Sequence, residues 1–174
     1  MNLPQMLTYR EATAADAELI FDMLMQAANW HPSRQTLSEP QVRRDPKLAH
    51  YAAGWPQPGD LGVVVEDSDG IGRGAAWLRH FTEDDPSYGF LDADTPELSI
   101  GVSQQSRGRG LGTQLCTRLF DAAEARGTHR ISLSVEKANP ALGLYRRLGF
   151  EVVRDDGDAV TMLRQSPAQP TATA

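Results

Sequence analysis

One stretch limits the fold more than any other: PELSIGVSQQSRGRGLGTQL, beginning at Pro96. Glu97 to Ser103 alternates as a strand does, with Leu98, Ile100 and Val102 on one face. A loop with glycines at 108, 110 and 112 follows and opens into an amphipathic helix, expected over 110–126, whose Leu111, Leu115, Leu119, Ala122 and Ala123 recur at helical spacing. A strand feeding a helix through such a loop calls for an α/β chain. The first N–H groups of that helix have no internal partner, and its dipole is positive at that end. Glycine lets backbone approach a ligand closely, and Arg107 and Arg109 add fixed charge. The pattern suits a phosphate. A plain glycine-rich turn exposing two surface arginines is the rival reading.

Two familiar phosphate loops are a poor match. A Walker loop needs lysine and Ser or Thr after its last glycine, whereas Leu111, Gly112 and Thr113 stand here. A dinucleotide fold places its first glycine close behind the strand and needs further βα units. Here Ser103 to Arg107 intervene, and too little chain follows Gly112.

The remaining elements fall around this centre. Residues 9–11 read as a strand and 13–28 as a helix capped by Thr13, with Leu19, Ile20, Met23, Leu24 and Ala27 on one face. Prolines at 32, 40, 46, 56 and 58 limit 29–59 to short helical pieces. Strands are expected at 61–66 and 73–82 across the turn DSDG, at 130–135, and as a hairpin of 150–154 with 159–163 across DDGD. Asn139 can cap a helix with Pro140 at its first position and Gly149 past its end. The expected fold is α/β, with a mixed, mostly antiparallel sheet of about seven strands and flanking helices. Residues 1–164 form one domain on this reading, and 165–174 a disordered tail.

Composition excludes several classes. A net charge of −6 leaves no global footprint for nucleic acid. One cysteine, Cys116, rules out an internal disulfide framework, and His31, His50 and His129 lack metal-ligand spacing, so no metal is expected. No apolar run suggests a membrane span or signal peptide, so the expected setting is cytoplasmic.

The segment IGVSQQSRGRGLGTQL resembles the acyl-CoA-binding motif of the GCN5-related N-acetyltransferases, with Arg107, Gly110 and Gly112 at its arginine and glycine positions. SVEKANPALGLYRRLGF is similar to that family's second segment through Asn139, Tyr145, Gly149 and Phe150, and YREATAADAELIFDML to its opening strand and helix. The family's usual proline or histidine after the valine is replaced by Ser103-Gln104-Gln105. The resemblance implies that strands four and five splay around acetyl-CoA, the acyl donor. It implies that main chain at Ile100 and Val102 pairs with the pantetheine arm, and that Arg107, Gly108, Arg109, Gly110, Leu111, Gly112 and Thr113 hold the pyrophosphate. Asn139 is then a cofactor contact, a helix cap, or both. The implied reaction is direct acetyl transfer to a primary amine in a ternary complex; the alternative is a non-catalytic acyl-CoA-binding module.

By the same resemblance Tyr145 is the acid that protonates the departing thiolate, though its helical face with Ala141, Leu144 and Leu148 also suits core packing. Glu97 is the candidate base, with an exposed strand-end acid as the alternative and His80 as a second candidate. Trp30, His31, Tyr51 and Trp55 either stack on substrate or anchor their loop. The stretch 83–94 holds Glu83, Asp84, Asp85, Asp92 and Asp94 without a lysine or arginine, which either points to a cationic acceptor, a small molecule or a peptide or protein amine, or merely keeps the loop soluble. The sequence leaves homodimerisation open.

Overall fold

A computed structural model describes residues 5–167. The elements run β1 (Thr8–Glu11), α1 (Ala17–Ala28), α2 (Glu39–Arg44), α3 (Pro46–Ala49), β2 (Leu61–Glu66), β3 (Gly72–Arg79), β4 (Glu97–Val102), α4 (Leu111–Ala125), β5 (Arg130–Glu136), α5 (Ala141–Arg147), β6 (Glu151–Asp155) and β7 (Ala159–Gln165). They build one seven-stranded sheet in the order β1-β2-β3-β4-β5-β7-β6. Every neighbouring pair is antiparallel except β4 with β5. The mixed, mostly antiparallel α/β fold expected from the sequence is the one observed.

Two apolar layers cover the sheet. On one face Leu98 packs with Leu111, Leu115 and Leu119 of α4 and with Tyr145 of α5. On the other, Ile20, Met23 and Leu24 of α1 pack with Tyr51, Trp55 and Trp77. Each fully buried leucine contributes about 1.5–3 kcal/mol from apolar burial. Gly101 lets α1 lie close against β4: a Cβ there would collide with the Met23 carbonyl oxygen.

Local differences from the expected elements have simple causes. Thr13 does cap, accepting from Ala15 N–H at 3.3 Å while Asp16 accepts from Thr13 N–H at 2.7 Å, but a 3₁₀ turn at Ala14–Asp16 precedes α1. Strand β3 stops at Arg79 rather than 82. The Arg79 side chain is buried there against Asp60 at 2.7 Å and donates to the carbonyls of His50 and Ala53. Asn139 Oδ1 accepts from Ala141 N–H at 2.9 Å, so Asn139 caps the turn that Pro140 begins. The boundary at 165 falls inside β7, and Ser166 N–H still donates to His129 O at 2.8 Å. The remainder of the expected tail, 168–174, lies outside the described residues.

Candidate functional site

Strands β4 and β5 meet at a single register position, Glu97 opposite Ser132, where Ser132 N–H donates to Pro96 O at 3.0 Å. Beyond it they part. Ser103 N–H donates to Arg73 O on the other side of β4, so alternation turns residues 97, 99 and 101 towards β3. The N–H and C=O groups of Ile100 and Val102 therefore face the gap, with no β5 partner to receive them. A cavity of about 710 Å³ fills the gap, within the size range of small-molecule sites. It passes through the sheet: Leu144 and Tyr145 line it from the α5 face, Leu24, Leu48 and Tyr51 from the α1 face.

At the α4 end, Gly108 and Gly110 have φ of 73° and 78°, the left-handed region that glycine adopts without strain. A Cβ on either would meet only open space, so glycine is required by backbone conformation rather than crowding. Gly110 starts α4 without a side-chain cap, and the first helical bond is donated by Gln114 to Gly110 O. The N–H groups ahead of Gln114 have no intrahelical acceptor, which is what an anion site requires. Arg107 reaches back along β4, donating to Val102 O at 3.4 Å and to Gln26 at 3.1 Å. Arg107, Gly112 and Asn139 line the cavity itself. Gly108, Arg109, Gly110, Leu111 and Thr113 form the adjoining loop and helix start. The Leu111 side chain is buried in the core, so only its backbone is available to a ligand.

At the other end, Glu97 is buried rather than an exposed strand-end acid. Its Oε1 accepts from Tyr51 Oη at 3.0 Å and its Oε2 from Gly89 N–H at 3.1 Å. Burial pushes its carboxyl above the usual carboxylate range, and the hydrogen bonds only partly offset that. Tyr51 is itself held: Trp77 donates to its carbonyl at 2.8 Å, and Arg79 ties the backbone on both sides of it. Tyr145, across the sheet, packs edge-on to Phe150 at 6.0 Å while lining the cavity. Burial also raises its phenol, which stays protonated at neutral pH.

The sequence profile of the Acetyltransferase (GNAT) family matches residues 24–150. The chain belongs to that family. Mycothiol acetyltransferase of Corynebacterium aurimucosum is 29% identical over 137 residues, 75% of this chain and 41% of that protein. The L-methionine sulfoximine/L-methionine sulfone acetyltransferase of Pseudomonas aeruginosa is 46% identical over 59 residues, 33% of this chain and 34% of that protein. The matched stretches thus cover less than half the length of these relatives. Among solved structures, yncA of Salmonella typhimurium with its cofactor acetyl-CoA superposes with a TM-score of 0.66 at 27% identity, covering 95% of this chain and 98% of that one.

Several residues weighed from the sequence of this GNAT chain lie elsewhere. His80 is exposed and lines a separate hollow with Gly59, Asp60 and Arg126, away from the gap. None of the five acids of 83–94 lines the cavity; Asp92 pairs with Arg130 at 3.0 Å and Asp85 meets His50 at 3.0 Å. The four aromatic candidates divide. Tyr51 and Trp30 line the cavity, and Trp55 anchors the loop by donating to Thr13 O at 3.1 Å. His31 packs edge-on against Trp30. Sequence reasoning missed Tyr88 and the Tyr51–Glu97 bond, since 46 residues separate that pair and no motif links them.

Proposed function

We propose that this chain is an acetyl-CoA-dependent N-acetyltransferase that transfers an acetyl group directly to a primary amine within a ternary complex. The passage through the sheet where β4 and β5 part carries the reading, because it joins the glycine loop on one side to a buried carboxyl on the other. Gly108 to Thr113, with Arg107 and Arg109, would receive the pyrophosphate, and Ile100 and Val102 would pair with the pantetheine arm in place of a neighbouring strand. Asn139 would contact the cofactor while capping its helix.

Glu97 would take a proton from the ammonium or from the attacking nitrogen, directly or through one water. The new N–C bond forms as the C–S bond breaks. The N–H of Ile100, turned into the gap, would stabilise negative charge developing on the acetyl oxygen. Tyr145 would give its proton to the leaving sulfur. The acceptor arrives as a cation, and the exposed acids Asp84 and Asp85 favour its approach. Relatives named for mycothiol and L-methionine sulfoximine support a small-molecule acceptor.

Free thiol released from acetyl-CoA across a panel of amines tests the activity. Calorimetry tests the donor site: Gly110→Asp should weaken acetyl-CoA binding at least tenfold, with the circular-dichroism spectrum retained. Unchanged affinity overturns the placement of the donor. Binding without turnover of any amine would leave an acyl-CoA-binding module.

A further inference from the structure

On the α1 face the cavity wall beyond Glu97 is built from Leu24, Ala27, Leu37, Leu48, Tyr51 and Tyr88. Glu97 is the one ionisable acid or base in that wall besides the phenols; Glu136, the other carboxylate of the cavity lining, is already paired with Arg34. The lining contains a single cationic side chain, Arg107, at the glycine-loop end of the passage. Arg34 is engaged by Glu136 at 2.7 Å and lies over the Trp30 ring at 5.5 Å. An acceptor bearing a carboxylate, or a second ammonium, beside its amine would set that charge against an apolar wall with no free counter-charge beside it.

Tyr88 points the same way. Its backbone is pinned on every side: its N–H donates to Tyr51 Oη at 2.9 Å, and its carbonyl accepts from Arg154 at 3.1 Å. The next residue, Gly89, donates to Glu97 and runs so close to β5 that a Cβ would sit 2.7 Å from the Leu133 carbonyl carbon. Yet the Tyr88 side chain is 51% exposed, lining the cavity with its ring nearly parallel to that of Tyr51. A rigidly held aromatic ring left open beside the carboxyl is a surface for an apolar ligand.

We propose that the acceptor is a primary amine on an uncharged apolar or aromatic body, its nitrogen at Glu97 and Tyr51 and its body against Tyr88, Leu37 and Leu48. This rests on the acetyltransferase reading above and narrows its substrate. Tyr88 is then the residue that selects the body of the acceptor.

The test uses three probes in the thiol-release assay: 2-phenylethylamine, L-phenylalanine, which adds a carboxylate to the same body, and spermidine. kcat/KM for 2-phenylethylamine should exceed that for either of the others at least tenfold. Tyr88→Ala should raise KM for 2-phenylethylamine at least tenfold with little change in kcat or in the Kd for acetyl-CoA, and Tyr88→Phe should restore it. Equal or better use of L-phenylalanine or spermidine overturns the proposal, as does an unaltered KM in Tyr88→Ala. Acetyl-CoA binding without turnover of 2-phenylethylamine overturns this inference alone; failure to bind acetyl-CoA overturns the acetyltransferase reading with it.

Discussion

Glu97 has two donors and almost no water, and the two facts act in opposite directions. Burial favours the neutral acid, while Tyr51 Oη and Gly89 N–H favour the carboxylate; the first prevails. A base must be ionised to work, so kcat/KM should rise with pH through a value above that of an ordinary glutamate, and Glu97→Gln should lose this limb. Stability should move the other way. A carboxyl whose folded pKa is raised binds more protons folded than unfolded, so its contribution is complete at low pH and is lost as pH rises through the folded value. Tyr145→Phe keeps the contact with Phe150 and removes only the hydroxyl that would supply the proton, so kcat should fall about 10²-fold while acetyl-CoA affinity holds. A wild-type kcat would leave Tyr145 as packing. The position of Glu97 was legible because it begins a strand with clear alternation. Its burial was not, because the cover comes from Tyr51 and Gly89, which the chain brings in from remote loops.

At the scale of elements, the site depends on how α1 and β4 are placed. Gly101 is the point of closest approach, and any side chain there meets the Met23 backbone, which cannot swing aside. Gly101→Ala should therefore destabilise by about 1–3 kcal/mol, read as a lower midpoint in thermal or urea unfolding. Gly108→Ala meets no neighbour and is penalised by its φ of 73° alone, so it should disturb the loop more than the fold. Equal midpoints for Gly101→Ala and wild type would show that α1 can retreat freely. Strand and helix identities were legible through periodicity, caps and glycine ends, as with Thr13, Asn139 and Gly149. The early end of β3 was not, since it depends on Arg79 finding Asp60 and two carbonyls across the fold. Nor could Gly101 be told from any strand glycine until α1 was seen against it.

Over the whole molecule, charge is legible as a sum but not as a pattern. The net −6 and the run of acids at 83–94 say nothing about which acids find partners; Asp92 pairs with Arg130, while Asp84 is exposed. Asp85 meets His50, whose neighbour Tyr51 lines the cavity, which brings this part of the loop near the acceptor side. If these acids draw the amine in, kcat/KM for a cationic acceptor should fall with added salt, since screening acts beyond roughly 8–10 Å. Neutralising Asp84 and Asp85 together should flatten that response and leave the Kd for acetyl-CoA unchanged; a full salt response in the double variant would exclude the loop from steering. The parting of β4 and β5 has a further consequence for where transfer takes place. Because the cavity is lined from both faces of the sheet, donor and acceptor on the proposed reading would lie on opposite sides of it. The acetyl group would then be handed over inside the sheet, where β4 and β5 part, and not on either of its faces.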